Sequence, residues 1–129
     1  MNKEDKELLL KDLCARIPYG VKCYDEAQRE VGVFKHFEYD GFGRIHNGRG
    51  VRFIENIKPY LFPLYSMTEE QKKELEDNLV EMELKAISDE IKHVDVAAYE
   101  IDFYNKHHID YRGLIEKGLA VDATGMNIY

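Results

Sequence analysis

Apolar residues first recur at helical spacing: Leu10, Leu13, Cys14 and Ile17 fall at i, i+3, i+4 and i+7, and Leu9 widens the stripe. This predicts a helix over residues 3–17. Asn2 or Asp5 can cap it, and Glu4, Asp5 and Glu7 suit the positive end of the helix dipole. Pro18 stops it, because the residue before a proline is pushed out of helical geometry, and Tyr19-Gly20 turns the chain. The period then changes to two. Val21-Lys-Cys-Tyr24 alternates, residues 25–30 form a polar connection, and Val31, Val33, Lys35, Phe37 and Tyr39 alternate with Gly32, Phe34, His36 and Glu38. Asp40-Gly-Phe-Gly43 and Asn47-Gly-Arg-Gly50 carry turn chemistry, the second between Arg44-Ile-His46 and Val51-Arg-Phe-Ile-Glu55. Three or four short, twisted antiparallel strands are expected.

Beyond residue 56 the pattern breaks. In Ile57-Lys-Pro-Tyr-Leu-Phe-Pro-Leu-Tyr65 two prolines four apart argue against both a regular helix and a central strand, so the segment reads as an apolar linker pinned on the core. Ser66-Met-Thr-Glu69 matches a capping box, and Leu75, Leu79, Met82 and Ala86, broadened by Val80, Leu84, Ile87 and Ile91, predict a helix to about Lys92. A second helix is expected from Asp95 to about Lys106. Asp110 then caps a short turn over 111–117, closed by a left-handed Gly118. Leu119-Ala-Val121 suggests one edge strand, and the chain from Thr124 is expected to fray. The expected fold is α+β in one domain, 1–129: a helix and a small antiparallel sheet or partial barrel over 1–65, and a helical part over 66–129.

Composition narrows the functions that fit. Of the 129 residues, 44% are hydrophobic and 33% charged, an ordinary balance for a globular chain. No apolar run approaches the roughly twenty residues that span a bilayer, and the N-terminus mixes charges where a secretory signal would not, which points to the cytoplasm. Residues 1–65 hold 11 Lys and Arg against 10 Asp and Glu, and residues 66–129 hold 7 against 15, so the net charge of −7 resides in the second half. Nucleic-acid contact would therefore have to come from the first half. Cys14 and Cys23 make no CxxC pair, and both are expected as reduced, buried thiols.

The densest run of specific side chains is 103–120, which holds Phe103, His107, His108, Asp110, Tyr111, Arg112 and two glycines. A metal reading would recruit His93, Asp102 or Asp110 to the paired histidines. Adjacent helical residues point about 100° apart, however, and no HExxH spacing occurs, so the histidines read better as a helix end, where positive charge is favourable. No GxSxG motif is present, and the acids are spread along helix faces. A catalytic set, a cofactor motif and a metal site are therefore not expected. The best binding candidate is the glycine-rich hairpin, where Arg44, Arg49 and Arg52 surround turn residues with Phe42 and Phe53 able to stack. Tyr111 and Arg112 join the candidates because no capping rule demands them. The wide apolar stripe of the long acidic helix also suits a homodimer.

Three stretches stand out together: Leu8-Leu-Leu-Lys-Asp-Leu-Cys-Ala-Arg-Ile-Pro-Tyr-Gly-Val21, Glu55-Asn-Ile-Lys-Pro-Tyr-Leu-Phe-Pro-Leu64 with Ser66-Met-Thr-Glu-Glu70, and Asn105-Lys-His-His-Ile-Asp-Tyr-Arg-Gly-Leu-Ile-Glu-Lys-Gly-Leu-Ala120. They resemble a family of small uncharacterised proteins carried by phages and mobile elements of gut anaerobes. The resemblance implies a mobile-element setting and no known activity. The expected function is a non-catalytic interaction or regulatory protein with a protein partner. A nucleic-acid-binding accessory protein using the arginine-rich hairpin is the alternative, and a metal-assisted hydrolase is a third.

Overall fold

Asn2 caps the first helix: its Oδ1 accepts the Asp5 amide at 2.7 Å, and α1 runs Lys3–Arg16. A single 3-10 turn, Ile17–Tyr19, ends at Gly20, whose φ of 67° is the left-handed geometry glycine adopts freely. The computed structural model describes residues 1–33, 38–41, 43–47, 50–87 and 96–129. The expected strand over 31–39, the Asn47-Gly-Arg-Gly50 corner, His93 and the Asp95 cap fall wholly or partly outside those residues.

The fold is α+β, an N-terminal helix followed by two sheets and C-terminal helices, with no closed barrel. Strands β1 (Lys22–Asp25) and β2 (Glu30–Val33) pair antiparallel, and β3 (Glu38–Tyr39), β4 (Arg44–Asn47) and β5 (Gly50–Phe53) form a separate three-stranded antiparallel sheet. The β4–β5 register opposes Asn47 to Gly50.

The proline-bearing segment is a strand, not a linker. Strand β6 (Ile57–Pro63) sits in the middle of the large sheet, antiparallel to β1 and parallel to β7 (Ile109–Asp110) and β8 (Val121–Asp122). Proline is tolerated because each ladder is short. Pro59 lies at the last rung to β1, opposite Cys23, and Pro63 at the last rung to β7, opposite Asp110. Between the two prolines, bonds just beyond the short ladders add to the hold: the Ala123 amide donates to Leu61 O and the Phe62 amide to His108 O, both at 2.8 Å. The expectation that the segment is pinned on the core holds up to Pro63, since Ile57, Pro59, Tyr60, Leu61 and Pro63 are all buried, but Leu64 and Tyr65 are exposed. The 66–129 part is consequently not purely helical; two of its short stretches complete the sheet.

Helix α2 is Glu69–Ile87 and α3 is Val96–Lys106. The capping box exists but lies two residues on from the expected one. The Gln71 amide donates to Thr68 Oγ1 at 3.1 Å, and the Thr68 amide donates to Gln71 Oε1 at 3.0 Å. Ser66 instead donates to Pro63 O at 2.6 Å, closing the 3-10 turn over Leu64–Ser66. The core gathers Leu9 and Leu13 of α1, Val21, Cys23, Ile45, Ile54, Ile57, Leu61, Leu114 and Leu119. The buried face of α1 is rotated from the predicted stripe: Asp12 and Arg16 lie on it and Cys14 is exposed. An ion pair that saturates itself allows this, as described below. Both cysteines are free thiols.

Candidate interaction surface

Tyr111 and Arg112 sit in a polar junction between α1 and the end of α3. At its centre Arg16, wholly buried, forms a two-pronged pair with Asp12, Nε to Oδ2 at 2.9 Å and Nη2 to Oδ1 at 3.1 Å. The same guanidinium donates to Ile109 O at 2.6 Å and to Tyr104 O at 3.4 Å. Burying two charges is costly unless each is paired and hydrogen-bonded, and here both are. Burial pushes the Asp12 carboxyl above its ordinary range, while Arg16 and Arg112 pull it down. Arg112 approaches Asp12 Oδ1 at 3.6 Å and lies 4.8 Å from the Tyr111 ring centre. The Arg16 guanidinium lies 5.3 Å from the same centre, and Tyr104 stacks on Tyr111 with ring centres 5.7 Å apart. Tyr111 and Arg112 thus close the lid on a buried ion pair.

The rest of the 103–120 run is also spent on structure. Asp110 caps the following turn, with Oδ1 accepting the Leu114 amide and Oδ2 the Ile115 amide at 2.9 Å each, and Gly118 closes it at φ 73°. His108 ends α3 in the left-handed conformation, φ 58°, and stacks flat on Tyr129 at 3.7 Å. Burial and nearby Arg16 hold its ring proton affinity down to a pKa of about 4, and burial also lowers that of His107. Burial thus favours the neutral form of both rings, against the expectation of positive charge at the helix end. Tyr129 is anchored, contrary to the expectation of a frayed tail: its hydroxyl donates to Tyr60 O at 2.8 Å and accepts the Lys22 amide at 2.9 Å. Among the described residues, no group of three or more His, Cys, Asp or Glu side chains could hold a metal ion.

The hairpin distributes its candidates to opposite faces. Ile45 is fully buried and faces inward, so its cross-strand partner Arg52 faces the core side too and reaches Asp25 of β1, Nε to Oδ2 at 2.7 Å. Arg52 therefore ties the small sheet to the large one. The opposite face carries the directly paired Arg44 and Phe53, then His46 and Val51, with Glu38 beside His46. Val51 is 48% exposed and Phe53 51%. Asp40 orients the polar half of this face, holding Arg44 Nε at 2.7 Å and His46 Nε2 at 3.3 Å. Phe42 and Arg49 lie outside the described residues. The contribution of His46 and Val51 was available in the sequence: period-two alternation about a buried Ile45 puts both on the face of Arg44.

Helix α2 has no buried residue, and an open, shallow depression of about 430 Å³ on its flank is lined by Glu70, Lys73, Glu74, Asp77 and Asn78. No described helix is long and apolar enough to cross a membrane. Compared with family models, curated proteins and solved structures, the chain matches none.

Proposed function

We propose that the chain is a non-catalytic interaction or regulatory protein of a phage or mobile element, acting in the cytoplasm by binding a protein partner through the outer face of the small sheet. The observation that carries this reading is the exposed cross-strand pair Arg44–Phe53, extended by Val51 and His46, on a sheet whose other side is sealed by Ile45. Arginine and aromatic residues are the side chains enriched at protein interfaces, and here they are presented on paired strands, not on a loose loop. The charge distribution favours a protein over a nucleic acid. Arg52 is consumed by Asp25, Arg44 is shared with Asp40, and Glu38 stands on the same face, so little positive charge is left for phosphates.

The test is affinity capture from lysate of the source organism with wild type, Phe53→Asp and Arg44→Glu, beside a salt titration of single-stranded DNA and RNA. A stoichiometric protein partner, lost in Phe53→Asp with the fold intact, is expected. Micromolar or tighter nucleic-acid binding that weakens steeply with salt, and vanishes on replacing Arg44, Arg49 and Arg52 by alanine, would establish the alternative instead.

A further inference from the structure

Helix α2 carries two apolar stripes. Leu75, Leu79, Met82 and Ala86 are half-buried and share one side of the helix. Val80, Leu84 and Ile87 recur at i, i+4 and i+7, and at about 100° per residue they lie on the side turned away from that stripe. They are 54%, 61% and 80% exposed. The same arithmetic sets Glu76 and Glu83 along one edge of this outer stripe and Asp77 and Glu81 along the other. Glu81 is paired with Lys85 at 3.3 Å, whereas Glu76, Asp77 and Glu83 have no ion pair among the described residues. The whole helix holds seven acids against three lysines.

An apolar row edged on both sides by carboxylates, three of them without an ion pair among the described residues, has one complementary shape. We propose that the Val80–Leu84–Ile87 stripe docks a basic amphipathic helix of a partner protein, with apolar residues at i, i+3 or i+4 and i+7 and Lys or Arg on both flanks. The apolar ridges supply the buried area, and the flanking charges set orientation and partner choice, as edge positions do in paired helices. A second copy of this chain fits poorly, because it would bring the same excess of acids against itself. This surface lies on a different element from the Arg44–Phe53 face, so the two can fail separately.

The probe is a fluorescent synthetic peptide with leucine at the two apolar heptad positions and lysine on the flanks, read by anisotropy against the full chain at physiological salt. The controls are a scrambled peptide of the same composition and a leucine–glutamate version. Wild type is expected to bind the leucine–lysine peptide at least about ten-fold tighter than either control, since each ten-fold step needs only one modest contact. Leu84→Glu, at an exposed position, should remove that preference, Glu76→Lys with Glu83→Lys should weaken it, and Phe53→Asp should leave it unchanged. Equal binding of the scrambled peptide, no binding by wild type, or full binding by Leu84→Glu would each overturn the proposal. So would a concentration-dependent dimer of wild type that Leu84→Glu abolishes, which would give the stripe to a second copy.

Discussion

The 103–112 junction and helix α2 dispose of their side chains in opposite ways. The junction is crowded with aromatic, charged and histidine residues, and nearly all of them turn inward: Arg16 onto Asp12 and two carbonyls, Arg112 toward Asp12, Tyr111 against Tyr104, Asp110 onto two amides. Helix α2 reads as a plain run of Glu, Lys and Leu, yet Val80, Leu84 and Ile87 stand in solvent. Dense polar chemistry in this chain marks a place where the side chains turn onto the fold itself, even though Asn105 Oδ1, His107 Nε2, His108 Nδ1 and the Tyr111 hydroxyl are buried there without a hydrogen-bond partner among the described residues. Exposed apolar side chains edged by acids mark a place where they do not. The outer face of the small sheet is of the second kind, with Phe53 and Val51 uncovered beside Arg44.

The sharpest way to break this contrast is to remove Arg16. Arg16→Met leaves Asp12 buried with Arg112 alone, at 3.6 Å, in place of its two-pronged partner, and should cost about 3 kcal/mol, read by urea unfolding, a large share of a small domain's stability. A cost under about 0.5 kcal/mol, the usual range for surface changes, would show that the junction is not holding α1 to the C-terminal region.

The junction should also respond to acid. An unfolded histidine titrates near 6.5, but His108 in the fold titrates near 4. Between those values the unfolded chain binds the extra proton, so stability is full above pH 6.5 and falls as pH drops toward 4. His107 is shifted in the same direction. His108→Phe keeps a ring against Tyr129 and should flatten that slope in unfolding midpoints measured from pH 7 to pH 4. An unchanged slope would assign the acid sensitivity elsewhere.

The elements with strong periodicity were legible before any coordinates. Helix α1 with its Asn2 cap, the turn at Gly20, α2 and the Asp110 cap follow from spacing and cap chemistry, because local hydrogen bonds decide them. Strand β6 was not legible. Its partners β7 and β8 are two residues each and lie far along the chain, and only the tertiary fold shows that Pro59 ends the ladder to β1 and Pro63 the ladder to β7. The buried face of α1 was misjudged for a related reason. Asp12 and Arg16 look like solvent positions until each is known to neutralise the other, and their presence on that face leaves Cys14 outside. At the candidate surface, alternation around Ile45 separates Arg44 from Arg52, but Asp25 as the partner of Arg52 depends on how the two sheets meet.

Equilibrium urea unfolding of two double variants compares the regions directly. Tyr111→Ala with Arg112→Ala strips the junction's lid, and Val80→Ser with Leu84→Ser strips the outer stripe of α2. If the junction is internal scaffolding and the stripe a free docking surface, the first pair lowers the unfolding free energy by about 2 kcal/mol or more and the second stays within about 0.5 kcal/mol of wild type. The reverse order, with the 111–112 variant as stable as wild type and the 80–84 variant strongly destabilised, would contradict the account.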